Sequence, residues 1–126
     1  MSHKTFLSIA AVIGIVFGIG MLIAPEQVFE LYAIPSSEGS KSIARSFGAL
    51  MFSVGIMNWI ARGVEDSVAL RAILYGNLAI HLLTLVIDLL ALTSGAMSAQ
   101  GWGSVILHVL FGAGFAYFVF ARPSRS

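Results

Sequence analysis

The chain has 126 residues, of which 58% are hydrophobic and only 10% charged, against about 45–50% and about 25% in ordinary water-soluble domains. Together with a mean hydropathy of +0.93, this excludes a disordered chain and a normal water-soluble fold, and the length suits a single domain. There is no cysteine, and the seven Lys and Arg of a chain with net charge +1 are scattered, so disulfides, thiol chemistry, cysteine-ligated metals and a basic nucleic-acid-binding stripe are all excluded.

A membrane-spanning helix needs about 20 mostly apolar residues. Residues 5–24 supply the first, with no charge in it. A signal peptide is the rival reading, with Lys4 as its positive start and Ala24 as a cleavage residue. The apolar run is longer than a usual signal core, and Leu22 stands where a small residue is expected, so a retained helix is the better reading. The next stretch, Pro25-Glu26-Gln27-Val28-Phe29-Glu30-Leu31-Tyr32, opens as a helix does, with Pro in the first turn and acidic residues after it. Phe29, Leu31, Tyr32 and Ile34 would let it lie at the outer membrane surface or fold over the bundle mouth; a solvated loop with a few buried anchors is the other reading. Pro25, Pro35 and Gly39 punctuate this connection.

Residues 43–61 form the second span and contain only Arg45 as a charge. A tight polar turn follows, Arg62-Gly63-Val64-Glu65-Asp66-Ser67, in which Ser67 is placed to cap the next helix. The third span, 68–92, holds Arg71 near its start and Asp88 near its end. Thr93-Ser94-Gly95 stops it. Gly101 precedes the fourth span, 102–121, in which His108 is the single His, Asp, Glu, Lys or Arg. The expected fold is all-α: an integral membrane four-helix bundle, up-down-up-down, with a short interfacial helix after the first span.

Lys and Arg in short loops set orientation. One side would hold Lys4, Arg62, Arg71, Arg122 and Arg125, and the other Lys41 and Arg45. Both termini are therefore expected in the cytoplasm, which in a bacterium means an inner-membrane protein. Trp59 and Tyr117 would then mark the inner interface and Trp102 the outer one. Small residues recur at spacings that let helices approach closely: Ala11, Gly14 and Gly18 on the first span, Ala44 and Gly48 on the second, and the four-residue ladder Ser104, His108, Gly112 on the fourth.

Chemistry concentrates on the third span. Asn77, His81, Thr84 and Asp88 are spaced 4, 3 and 4 apart, which at about 100° per residue confines them to an arc of roughly 60°. A stripe so polar must face other helices or a wet cavity. Counting about 1.5 Å per residue puts Asp88 roughly 6 Å, His108 about 9 Å and Arg45 about 3 Å inside the outer helix ends, with His81 about 7 Å deeper than His108 and Asn77 below it. The candidate binding residues are thus Arg45, Asn77, His81, Asp88 and His108. They can be read as a structural lock, in which Arg45 and Asp88 neutralise one another and His108 adds a hydrogen bond. They can also be read as a polar pocket for the head group of a quinone-like molecule or lipid, or as a proton path. The depth offset between His81 and His108 speaks against axial haem ligation, and no His-x-x-His or Glu-x-x-His pair supports a di-iron site. Asn58, on the opposite face from Arg45, reads as a helix–helix hydrogen bond.

The whole chain resembles the small four-helix bacterial membrane proteins grouped as DoxX-like. The resemblance lies in Leu22-Ile23-Ala24-Pro25 leaving the first span, Ala44-Arg45-Ser46-Phe47-Gly48 opening the second, Gly76-Asn77 and His81 on the third, and Gly101-Trp102 starting the fourth. The Arg-x-Phe-Gly opening is also similar to that of the eukaryotic four-helix scaffold of sterol biosynthesis. The resemblance implies fold and location, with quinone-coupled redox complexes as the associated setting, and assigns no catalytic residue. The expected function is an accessory or scaffold protein that packs beside a larger membrane complex, or forms a homo-oligomer, or binds a quinone or lipid. A membrane enzyme with His and Asp acid–base groups is the alternative. A proton-coupled exporter fits less well, because small four-helix exporters use an acidic residue in the first helix and this one has none.

Overall fold

The structure, a computed structural model, describes residues 1–121. Those residues form five α-helices and no strand: α1 (His3–Ile23), α2 (Pro25–Leu31), α3 (Glu38–Ala61), α4 (Val68–Thr93) and α5 (Trp102–Ala116). A 3-10 turn (Ala99–Gly101) leads into α5, and a π-helical turn (Tyr117–Ala121) continues it. Four of the helical segments are long and apolar enough to cross a membrane. Val16, Ile43, Leu50, Leu83, Leu90, Leu110 and Phe120 are all exposed, a surface suited to hydrocarbon rather than water. The protein is therefore a multi-pass membrane protein. The chain divides into two compact units, Met1–Arg62 and Gly63–Ser126, each built on an antiparallel helix pair.

In the first unit, Ser2 caps α1 by accepting the Thr5 N–H at 3.2 Å. The helix stops at Ile23 because Ala24 precedes Pro25, whose ring disfavours helical backbone at the residue before it. Ala24 leaves the helical region (φ −136°, ψ 50°) and Pro25 restarts the chain as α2, where its missing N–H is harmless. The helix expected after the first span is thus present. It closes with Ile34 N–H on Phe29 O at 2.9 Å and Ala33 N–H on Glu30 O at 3.1 Å, a Schellman pattern with Ala33 in the left-handed region (φ 53°) that glycine usually fills.

The second long helix, α3, begins at Glu38, five residues before the expected start. Ser37 and Ser40 form a reciprocal capping box, each side chain bonding the other's N–H, which lets a polar first turn precede the apolar run. Lys41 joins this turn to α2, with Nζ 3.1 Å from Glu38 and 3.5 Å from Glu26. The small-residue stripes identified in the sequence do the packing here. Ala11 is fully buried, and Gly18 faces Gly48 and Phe52 so closely that a Cβ on Gly18 would lie 2.6 Å from Phe52 N. At Arg62 the chain leaves α3, with the guanidinium 3.4 Å over the Trp59 ring and Nε donating to Trp59 O.

In the second unit Ser67 caps α4 as expected, accepting the Leu70 N–H at 3.2 Å. The helix ends at Thr93, and Gly95 takes the left-handed conformation (φ 75°) that turns the chain back. Gly101 then tucks against Leu92 and Met97, where any Cβ would overlap the Met97 thioether. That contact sets the register in which α5 runs antiparallel beside α4. The span expected over 102–121 is helical throughout, but its hydrogen-bond register changes at Tyr117.

Candidate functional site

Two faces meet in the second unit. The polar stripe of α4 packs against the Ser104, His108, Gly112 ladder of α5, which repeats every four residues and so stays on one face. Ser104 Oγ donates to Asp88 Oδ2 at 2.6 Å. His108 Nε2 lies 3.8 Å from the same oxygen, too far for a direct hydrogen bond but close enough for the carboxylate to act on it electrostatically. His108 Nδ1 and His81 Nδ1 are 2.8 Å apart and share a hydrogen bond. The result is a linear chain: Ser104, Asp88, His108, His81.

The far end of the chain is fixed by aromatic rings. His81 stacks on Phe111 (centroids 5.3 Å, interplanar angle 15°) and on Phe115 (5.4 Å, 19°). Phe115 is fully buried, so it anchors the imidazole plane. Gly112 stands opposite His81, where a Cβ would come within 3.8 Å of the His81 Cβ. Asp88 is buried, with its side chain 8% exposed, and the His108 side chain is 13% exposed.

The depth count that separated the two histidines describes their backbones and not their rings. Pairing Ser104 with Asp88 and Gly112 with His81 does place His108 about one helical turn, ~5 Å, from His81 along the axis. Two imidazoles span that offset, which a count of backbone positions ignores. Their direct contact also bears on haem: two nitrogens on opposite sides of a metal stand about 4 Å apart, wider than the 2.8 Å observed. Among the described residues no three His, Asp or Glu side chains converge as a metal site.

The remaining expected residues divide. Asn77 is buried, and its Nδ2 donates to Ile73 O at 2.9 Å on its own helix. Arg45 belongs to the first unit, where it is exposed and makes no ion pair within that unit. Within the second unit Asp88 accepts from Ser104 and has His108 3.8 Å away. Asn58 is buried and partnered. The sequence reading missed three contributors: Ser104, seen only as a small packing residue, and Phe111 and Phe115. The four-residue step from Ser104 to His108 was the available clue, since it puts a hydroxyl directly beside a histidine on one helix face.

Chemically the chain can hold one mobile proton between imidazoles and orient it from a buried carboxylate. Its open end is His81 Nε2. No hydrogen bond to that atom is present among the described residues, and no buried side-chain nitrogen or oxygen lacks a partner, so Nε2 is accessible. Comparison with protein-family models, curated proteins and solved structures finds no match to this chain.

Proposed function

We propose that this protein is a small accessory protein of the bacterial inner membrane, of the DoxX-like kind and with both termini in the cytoplasm, that binds a lipophilic molecule at the His81 end of the Asp88 chain. One observation carries the reading: the polar chain is longer than a helix lock requires. Ser104 and Asp88 alone would fasten α4 to α5. Two further histidines extend the network and end in an accessible nitrogen, and unpaired polar groups in hydrocarbon are costly. A ligand head group satisfies that end. A quinone-like molecule or a lipid is the occupant. The same carboxylate–imidazole order favours a second reading, a membrane enzyme acting on a lipophilic substrate, because a carboxylate that orients a histidine is how acid–base groups are commonly arranged.

The test compares wild type with His81→Leu, each extracted in mild detergent and examined as the folded, monodisperse fraction by native mass spectrometry. Wild type is expected to carry a lipophile that His81→Leu lacks, while bulk phospholipid stays equal in both. The same bound molecules in both proteins, whatever the difference in stability, would refute the site.

A further inference from the structure

The contact between two Nδ1 atoms constrains more than position. A hydrogen bond between them needs one N–H and one lone pair. Asp88 decides which is which. Its Oδ2 stands 3.8 Å from His108 Nε2, and a carboxylate favours the tautomer that turns an N–H toward it. His108 then carries its proton on Nε2, which leaves Nδ1 as an acceptor. His81 must donate from its own Nδ1 across the 2.8 Å contact. The proton of a neutral His81 is thereby used, and its accessible Nε2 presents a lone pair. Phe111 and Phe115, stacked on the His81 ring, oppose the ring flip that would exchange the two nitrogens.

We propose that the Asp88–His108–His81 chain locks His81 as a hydrogen-bond acceptor, so that the site selects membrane-dissolved molecules bearing a hydroxyl over those offering only an ether or carbonyl oxygen. The inference rests on the binding role assigned to His81 above and narrows the occupant to a hydroxyl-bearing one, so that of a quinone-like molecule the site takes the reduced, hydroxyl-bearing form rather than the quinone. A hydroxyl donates to Nε2. An ether or carbonyl oxygen sets lone pair against lone pair and leaves both unpaired, a loss larger than that of an absent contact.

Two measurements test this. The first uses 4-octylphenol and 4-octylanisole, which share tail and ring and differ only in the O–H. Binding to the protein in nanodiscs is measured against His81→Leu as the control for partition into lipid. The phenol is expected to bind about tenfold or more tightly than the ether, with that preference gone in His81→Leu and reduced in Asp88→Asn, where the tautomer is no longer imposed. Equal, His81-dependent binding of both probes would overturn the acceptor lock and leave the ligand site standing. No His81-dependent binding of either would overturn both. The second measurement needs no ligand and no variant. In protein with 15N-labelled histidine, the imidazole resonances are expected to show His108 protonated on Nε2 and His81 on Nδ1. The reverse assignment, or averaging between tautomers, would overturn the proposal.

Discussion

Gly18→Ala adds one methyl group where the structure has no room for it. The new Cβ would lie 2.6 Å from Phe52 N, 2.8 Å from Gly48 O and 2.9 Å from Phe52 Cα, all backbone atoms of the facing helix. Backbone cannot rotate aside as a side chain can. Reaching the 3.4 Å at which Gly14 already meets Gly55 would require α1 and α3 to part by about 0.8 Å there, and a gap of 0.5–1 Å forfeits roughly a quarter to a half of each dispersion contact across it. Overpacking of this kind typically costs about 1–3 kcal/mol. Alanine returns up to about 1 kcal/mol through its better helix propensity, so a net loss of about 1–2 kcal/mol is expected. Gly76→Ala is the matched control. Its Cβ would meet nothing within 4 Å, so only the propensity gain remains and stability should hold or rise. Thermal unfolding of the three proteins in one detergent, followed by helical circular dichroism, gives the comparison. If Gly18→Ala were as stable as wild type, the close backbone approach that organises the first unit would be wrong.

Ser104→Ala removes the hydroxyl that donates to buried Asp88 at 2.6 Å and should lower stability by about 1–3 kcal/mol through the unsatisfied carboxylate, whereas Ser36→Ala, exposed and outside any helix, should be neutral in the same melt. The absence of native cysteine makes orientation directly readable. In intact cells Ser36→Cys, exposed before the Ser37 cap, should react with a membrane-impermeant maleimide, and Glu65→Cys, in the exposed turn after α3, should react only after permeabilisation. The opposite pattern would invert the proposed orientation.

Sequence alone determined the spans, because transfer of a helix into hydrocarbon is summed residue by residue along the chain and needs no knowledge of neighbours. The Ser67 cap and the Pro25 restart were legible for the same local reason. The start of α3 was not, since the reciprocal Ser37–Ser40 box lacks the acidic partner that usually marks such a cap. The polar stripe of α4 and the ladder of α5 were each visible as a face with a period, but which rung meets which is a property of two helices. Gly95 and the seat of Gly101 against Leu92 and Met97 set that register. Side-chain reach then joined His81 to His108 across a turn of backbone offset. Only the tertiary structure could turn Ser104 from a small packing residue into the donor to Asp88, and the histidines from separate depths into one hydrogen-bonded pair, because both outcomes depend on distances between atoms far apart in the chain.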